Sequence, residues 1–138
     1  MAWQQTVGPE SHEFKIELPN TRAAASHARK QLVRFVEHFR IKREVISDIE
    51  TAVGEALANA AEHGHRRHGT IRVEARVSES CFEAIVSDDG PGFASRPVVV
   101  DKPEALALRG YGLFMIQTLV DACEFRDDGR TVWFQKRF

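Results

Sequence analysis

Two runs of strict alternation meet across a short polar turn. Ile71, Val73, Ala75 and Val77 place an apolar side chain at every second position, Ser78-Glu79-Ser80 intervene, and Phe82, Ala84 and Val86 resume the pattern. Successive side chains of a strand point to opposite faces, so a period of two describes strands that are buried on one side only. The pattern is that of an antiparallel hairpin, whose apolar face needs a second layer to cover it. Asp88 continues the parity of that buried face.

The covering layer is written upstream. From Thr21, the residues Ala25, Ala28, Leu32, Phe35, Val36 and Phe39 recur at helical spacing, with Arg29, Lys30, Arg34 and Glu37 pointing elsewhere. After the basic turn from Arg40 to Arg43, a second helix carries Ile46, Ile49, Val53, Ala56, Leu57 and Ala60 on one face and ends at Gly64. Such stripes mark helices that bury one side against a core. Phe14, Ile16 and Leu18 form an earlier strand stopped by Pro19-Asn20. Residues 89 to 111 contain Gly and Pro and few periodic positions, too long a connection for a compact domain unless it is a functional lid or disordered. Leu113, Ile116, Gln117, Leu119 and Val120 predict a third helix, and Val132, Phe134 and Phe138 a last strand after the turn Asp127-Asp128-Gly129.

The expected architecture is α+β, a two-layer sandwich with a mainly antiparallel mixed sheet and helices on one face. A flexible leader is expected over residues 1–12, followed by a single domain over 13–138. A chain of 138 residues with 43% apolar content suffices for one core and is short for two. The formal charge is −1, so no basic excess exists for phosphate-backbone binding, and nucleic acid is excluded as a direct partner. No run of apolar residues reaches membrane-spanning length and no signal segment is visible, which makes a cytoplasmic location the expectation. Cys81 and Cys123 lack metal or disulfide spacing and read as free thiols.

Three short stretches carry candidate chemistry. Glu55, Asn59 and His63 fall at i, i+4 and i+8 and share one helix face beside the apolar stripe. A carboxylate and a carboxamide one turn apart can orient a nucleophile and hold a hard cation, although a solvated polar face has the same spacing. Asp88-Asp89-Gly90-Pro91-Gly92-Phe93 ends a strand with an acid of inward parity and glycines that let the backbone turn against a flat ligand. An ordinary turn has this composition too. Arg109-Gly110-Tyr111-Gly112-Leu113 precedes the third helix, where close glycine backbone and a helix N-terminus suit phosphate. His63, His65 and His68 straddle a helix end and fit a surface role better than a metal cluster.

In this order, E-x-x-x-N on a helix, D-x-G-x-G after a strand and G-x-G before a helix resemble the three nucleotide boxes of the Bergerat, or GHKL, ATP-binding fold. The run Glu55-Ala-Leu-Ala-Asn59-Ala-Ala-Glu-His63-Gly64 resembles the first box of anti-sigma-factor serine/threonine kinases of the RsbW and SpoIIAB type. The likeness extends from about Phe14 to Phe138. It implies ATP and Mg2+ as cofactors, with Asn59 on the metal and His63 near the nucleotide. It also implies Asp88 as acceptor for the adenine amino group, and Gly90, Gly92, Gly110 and Gly112 as the shape of pocket and lid. Arg109 borders the phosphates in this reading or is simply exposed to solvent, Leu113 is among the nucleotide-binding residues, and Glu55 takes the proton of the attacking hydroxyl. The implied partners are a STAS-type anti-sigma-factor antagonist, as substrate, and a sigma factor, with the kinase as a homodimer. A regulator in which nucleotide gates partner binding without phosphotransfer fits the same residues.

Overall fold

The computed structural model describes residues 4–6, 12–63, 69–89, 111–127 and 130–138. Among the described residues nine elements follow one another: β1 (Gln4–Thr6), β2 (Glu13–Pro19), α1 (Arg22–Val36), α2 (Arg43–His63), β3 (Thr70–Val77), β4 (Cys81–Asp88), α3 (Tyr111–Leu119), β5 (Ala122–Arg126) and β6 (Thr131–Arg137). The strands form one six-stranded sheet in the order β1-β2-β3-β4-β6-β5. The sheet, expected to be mainly antiparallel, is antiparallel at each of these pairings.

Alternation in the sequence becomes burial in the fold. Phe14, Ile16 and Leu18 of β2, Ile71, Val73, Ala75 and Val77 of β3, and Phe82, Ala84 and Val86 of β4 are all buried on the same side. Their polar neighbours form the open face, and the register there places Glu13 opposite Arg76 and Glu17 opposite Arg72. These cross-strand pairs close to 3.2 Å and 3.4 Å. Exposed pairs of this kind add a few tenths of a kcal/mol, roughly, so they select register more than they hold the sheet.

The helices cover the other face. Thr21 caps α1 with its hydroxyl, which accepts from the Ala24 N–H at 3.1 Å and satisfies a donor that the first helical turn leaves open. Ala28, Leu32 and Val36 of α1 are fully buried, as are Ile49, Ala52 and Val53 of α2. α2 is the middle helix: it packs against both α1 and α3 and lies over β4 and, less extensively, over β3 and β6.

Two strands exceed what the sequence predicts. The leader expected over 1–12 contains β1, whose residues Gln4, Gln5 and Thr6 pair with Glu17, Ile16 and Lys15. A strand with no apolar residue has no periodic signal, and its pairing is a backbone affair. β5 turns back from α3 to form the opposite edge of the sheet beside β6. The turn expected at Asp127-Asp128-Gly129 begins with Asp127 at φ 53°, a conformation aspartate tolerates better than most residues. Its carboxylate accepts from the Thr131 hydroxyl at 2.9 Å, which ties the turn to the start of β6.

Candidate active site

Glu55 and Asn59 lie half-buried on α2. A helix advances about 100° per residue, so Asp48, Glu55 and Asn59, spaced by seven and four, point within about 40° of one another. Asp48 identifies what that face looks toward. Its carboxylate is 3.1 Å from the Lys136 ammonium of β6, and that ammonium donates to the Leu119 carbonyl of α3 at 2.7 Å. The face bearing Glu55 and Asn59 is therefore the one turned toward α3, while Gly54 sits on the opposite flank against Arg29 of α1.

Asp88 is the last residue of β4, half-buried as its parity predicts, and pairs with Ile71. Its backbone N–H donates to the Arg130 carbonyl at 3.0 Å, and the neighbouring Asp89 carboxylate accepts from the Thr70 N–H at 3.0 Å. The end of β4 is thus held from both sides, by Arg130 just before β6 through Asp88 and by β3 through Asp89. The side-chain oxygen of Asn59 can ligate an oxygen-seeking cation, and the carboxylate of Asp88 can accept hydrogen bonds from an amine.

The third stretch is described in part. Gly112 and Leu113 belong to the first turn of α3, where backbone N–H groups lack intrahelical acceptors and face outward along the axis. Gly90, Gly92, Arg109 and Gly110 lie outside the described residues, as do His65 and His68, and so does the side chain of His63, whose backbone closes α2. A groove of about 330 Å3 between α1 and α2, lined by Arg22, Arg29, Gly54 and Leu57 among others, contains none of the expected site residues.

Sequence reasoning missed three side chains that shape this region. Asp89 was available as the second acid of the Asp88-Asp89 pair, but its partner is nineteen residues away. Lys136 carried a visible signal, because it continues the inward parity of Val132 and Phe134, where a charge needs a partner. Asp48 follows from it.

No helix among the described residues is long and apolar enough to cross a membrane. Cys81 and Cys123 are free thiols, both half-buried.

Comparison with known proteins places the chain in a family. The model of the histidine kinase-like ATPase domain matches residues 18–136. An anti-sigma F factor of Clostridium beijerinckii is 28% identical over 137 residues, covering 92% of this chain and 95% of its own length. The serine-protein kinase RsbW of Listeria innocua is 30% identical over 135 residues, covering 90% of this chain and 86% of its own. Among solved structures, the RsbU and RsbW domains of a Mycobacterium tuberculosis protein superpose with a TM-score of 0.65 at 23% identity, over 91% of this chain and 31% of that one. That structural likeness concerns the fold.

Proposed function

Since the chain belongs to the histidine kinase-like ATPase domain family, we propose that it is an ATP-dependent protein serine/threonine kinase which phosphorylates an anti-sigma-factor antagonist and sequesters a sigma factor. The observation that carries this reading is the placement of Glu55 and Asn59 together on the α3-facing side of α2, in a chain similar over most of its length to a serine-protein kinase. The similarity to anti-sigma F factors supports the regulatory half.

ATP supplies the phosphoryl group, and Mg2+ neutralises charge on its phosphates when bound. Asn59 would hold the metal through its amide oxygen, and Asp88 would accept from the adenine amino group. The first-turn N–H groups of α3, Gly112 and Leu113 among them, would donate to phosphate oxygens, with His63, Gly90, Gly92, Arg109 and Gly110 completing pocket and lid. Glu55 would accept the proton of a partner's serine or threonine hydroxyl as its oxygen bonds to the γ-phosphorus and the bond to ADP breaks. Transfers of this type need little from the protein besides positioning and charge stabilisation, so one base and one polar cradle suffice.

The direct test is calorimetry with ATP and Mg2+, followed by transfer of labelled phosphate to STAS-type proteins. Saturable ATP binding with a phosphorylated serine or threonine on one such protein is expected. Absence of nucleotide binding at millimolar ATP overturns the reading. Nucleotide binding that gates partner association without transfer converts the protein to a nucleotide-gated regulator.

A further inference from the structure

Lys136 is the side chain through which three elements meet. It starts on β6, inward-facing beside the buried Phe134, and is only 17% exposed. Its ammonium bonds the Leu119 carbonyl, the last residue of α3, at 2.7 Å and the Asp48 carboxylate of α2 at 3.1 Å. A cation at a helix C-terminus meets the negative end of the helix dipole, and the acid balances its charge from a side chain that is 38% exposed. Just past it, Asp121 adds two more links to β6: its N–H donates to the Gln135 carbonyl at 2.9 Å, and its carboxylate accepts from the Arg137 N–H at 2.6 Å. α3 is fixed at its C-terminal end, and its N-terminal end carries Gly112 and Leu113.

From this arrangement we infer that Lys136 is a positioning residue for the phosphate end of the nucleotide. The inference rests on the nucleotide-site reading given above. The Asp48–Lys136–Leu119 link sets the angle between α3 and the face of α2 that bears Glu55 and Asn59. A helix of nine residues is a rod of about 13 Å, so a tilt of about 5° at its fixed end moves the other end by about 1 Å. Displacements of that size are enough to degrade phosphate positioning by an order of magnitude or more. The β4 end, with Asp88, is held independently through Thr70 and Arg130. Loss of Lys136 therefore affects the phosphate end selectively and leaves recognition of the base in place.

The test compares ATP and adenosine binding, each with Mg2+, for wild type, Lys136→Met and Lys136→Arg. Methionine keeps the unbranched apolar stem but removes the ammonium and its charge. ATP affinity is expected to fall about tenfold in Lys136→Met with adenosine affinity unchanged, and Lys136→Arg to restore most of the loss, because a cationic donor is again present. An unchanged ratio of ATP to adenosine affinity in a folded Lys136→Met overturns the inference, and so does an equal loss of both. If Lys136→Met does not fold, Asp48→Asn is read by the same ratio, and a wild-type value again overturns it. Failure of the wild type to bind ATP is a separate result, which removes the nucleotide reading itself.

Discussion

The Asp89 carboxylate accepts a hydrogen bond from the Thr70 N–H at 3.0 Å, and its other oxygen lies 3.6 Å from the Arg72 guanidinium. The first residue of β3 is thereby tied to the residue just after β4, at the end of the hairpin where Asp88 sits. A backbone donor with a carboxylate partner is a charge-assisted bond, stronger than its neutral counterpart.

Asp89→Ala is expected to destabilise the fold by about 1 kcal/mol, because a half-buried bond to a charged acceptor is lost. Asp89→Asn retains an acceptor oxygen and should lose less than half of that. Chemical unfolding of the three proteins under the same buffer checks the order, and equal stabilities for all three contradict it.

Glu55 and Asp88 are expected to separate transfer from binding. Glu55→Gln removes a base but leaves shape and size, so phosphotransfer to the protein substrate should fall by about 10^2 to 10^4 while the ATP Kd stays within about twofold. Asp88→Asn replaces an acceptor by a group that can present a donor, and ATP binding should weaken by about tenfold or more. Paired calorimetry and transfer assays read both. Full transfer by Glu55→Gln would remove Glu55 as the base.

The parts of the fold that were legible in the sequence are those with long periodic signals. The α2 stripe from Ile46 to Ala60 and the hairpin from Ile71 to Val86 are buried as read, since apolar spacing and burial are the same fact seen twice. β1 is Gln-Gln-Thr, with no apolar residue to mark it, and β5 is Ala-Cys-Glu-Phe-Arg, where the alternation of Cys123 and Phe125 is too short a run to register as a strand. In the candidate site, Glu55, Asn59 and Asp88 were visible as chemistry carried by residue type and spacing. Asp48 and Asp89 carry no such mark, because their meaning lies in contacts between elements far apart in the chain, and Lys136, marked by its inward parity, shows its partner Leu119 only in the fold.

Gly54 is expected to tolerate one methyl group and no more. A Cβ there would meet Arg29 Cδ at 3.2 Å, tight, but against a flexible side chain on the flank away from the site. Alanine lowers the entropic cost of helix formation by about 0.5 to 1 kcal/mol relative to glycine, and a small swing of Arg29 removes part of the gain. Gly54→Ala should therefore raise the unfolding midpoint slightly or leave it unchanged, whereas Gly54→Ile, which must displace Arg29 further and is stiffer in a helix, should be less stable than the alanine variant by about 1 kcal/mol. Thermal unfolding of both variants decides, and a marked loss in the alanine variant shows that Arg29 cannot give way.

Cys123 makes the stability pH-dependent in the alkaline range. Burial pushes its thiol up from 9.0 to about 11, because the thiolate would lose water against the core, where Cys123 pairs with Phe134. Below about pH 8 the thiol is almost wholly protonated in both the folded and unfolded chains and contributes no slope. Between about 9 and 11 the unfolded chain releases this proton first, so stability falls as pH rises through that window. Cys123→Ala abolishes this component, and the difference in unfolding free energy between the two proteins should be flat below about pH 8 and change above it. The same burial keeps the folded thiol unreactive, so alkylation at pH 8 should label Cys123 far more slowly in the native protein than in denaturant. Equal labelling rates in the two states would mean that the thiol is not shielded by the core.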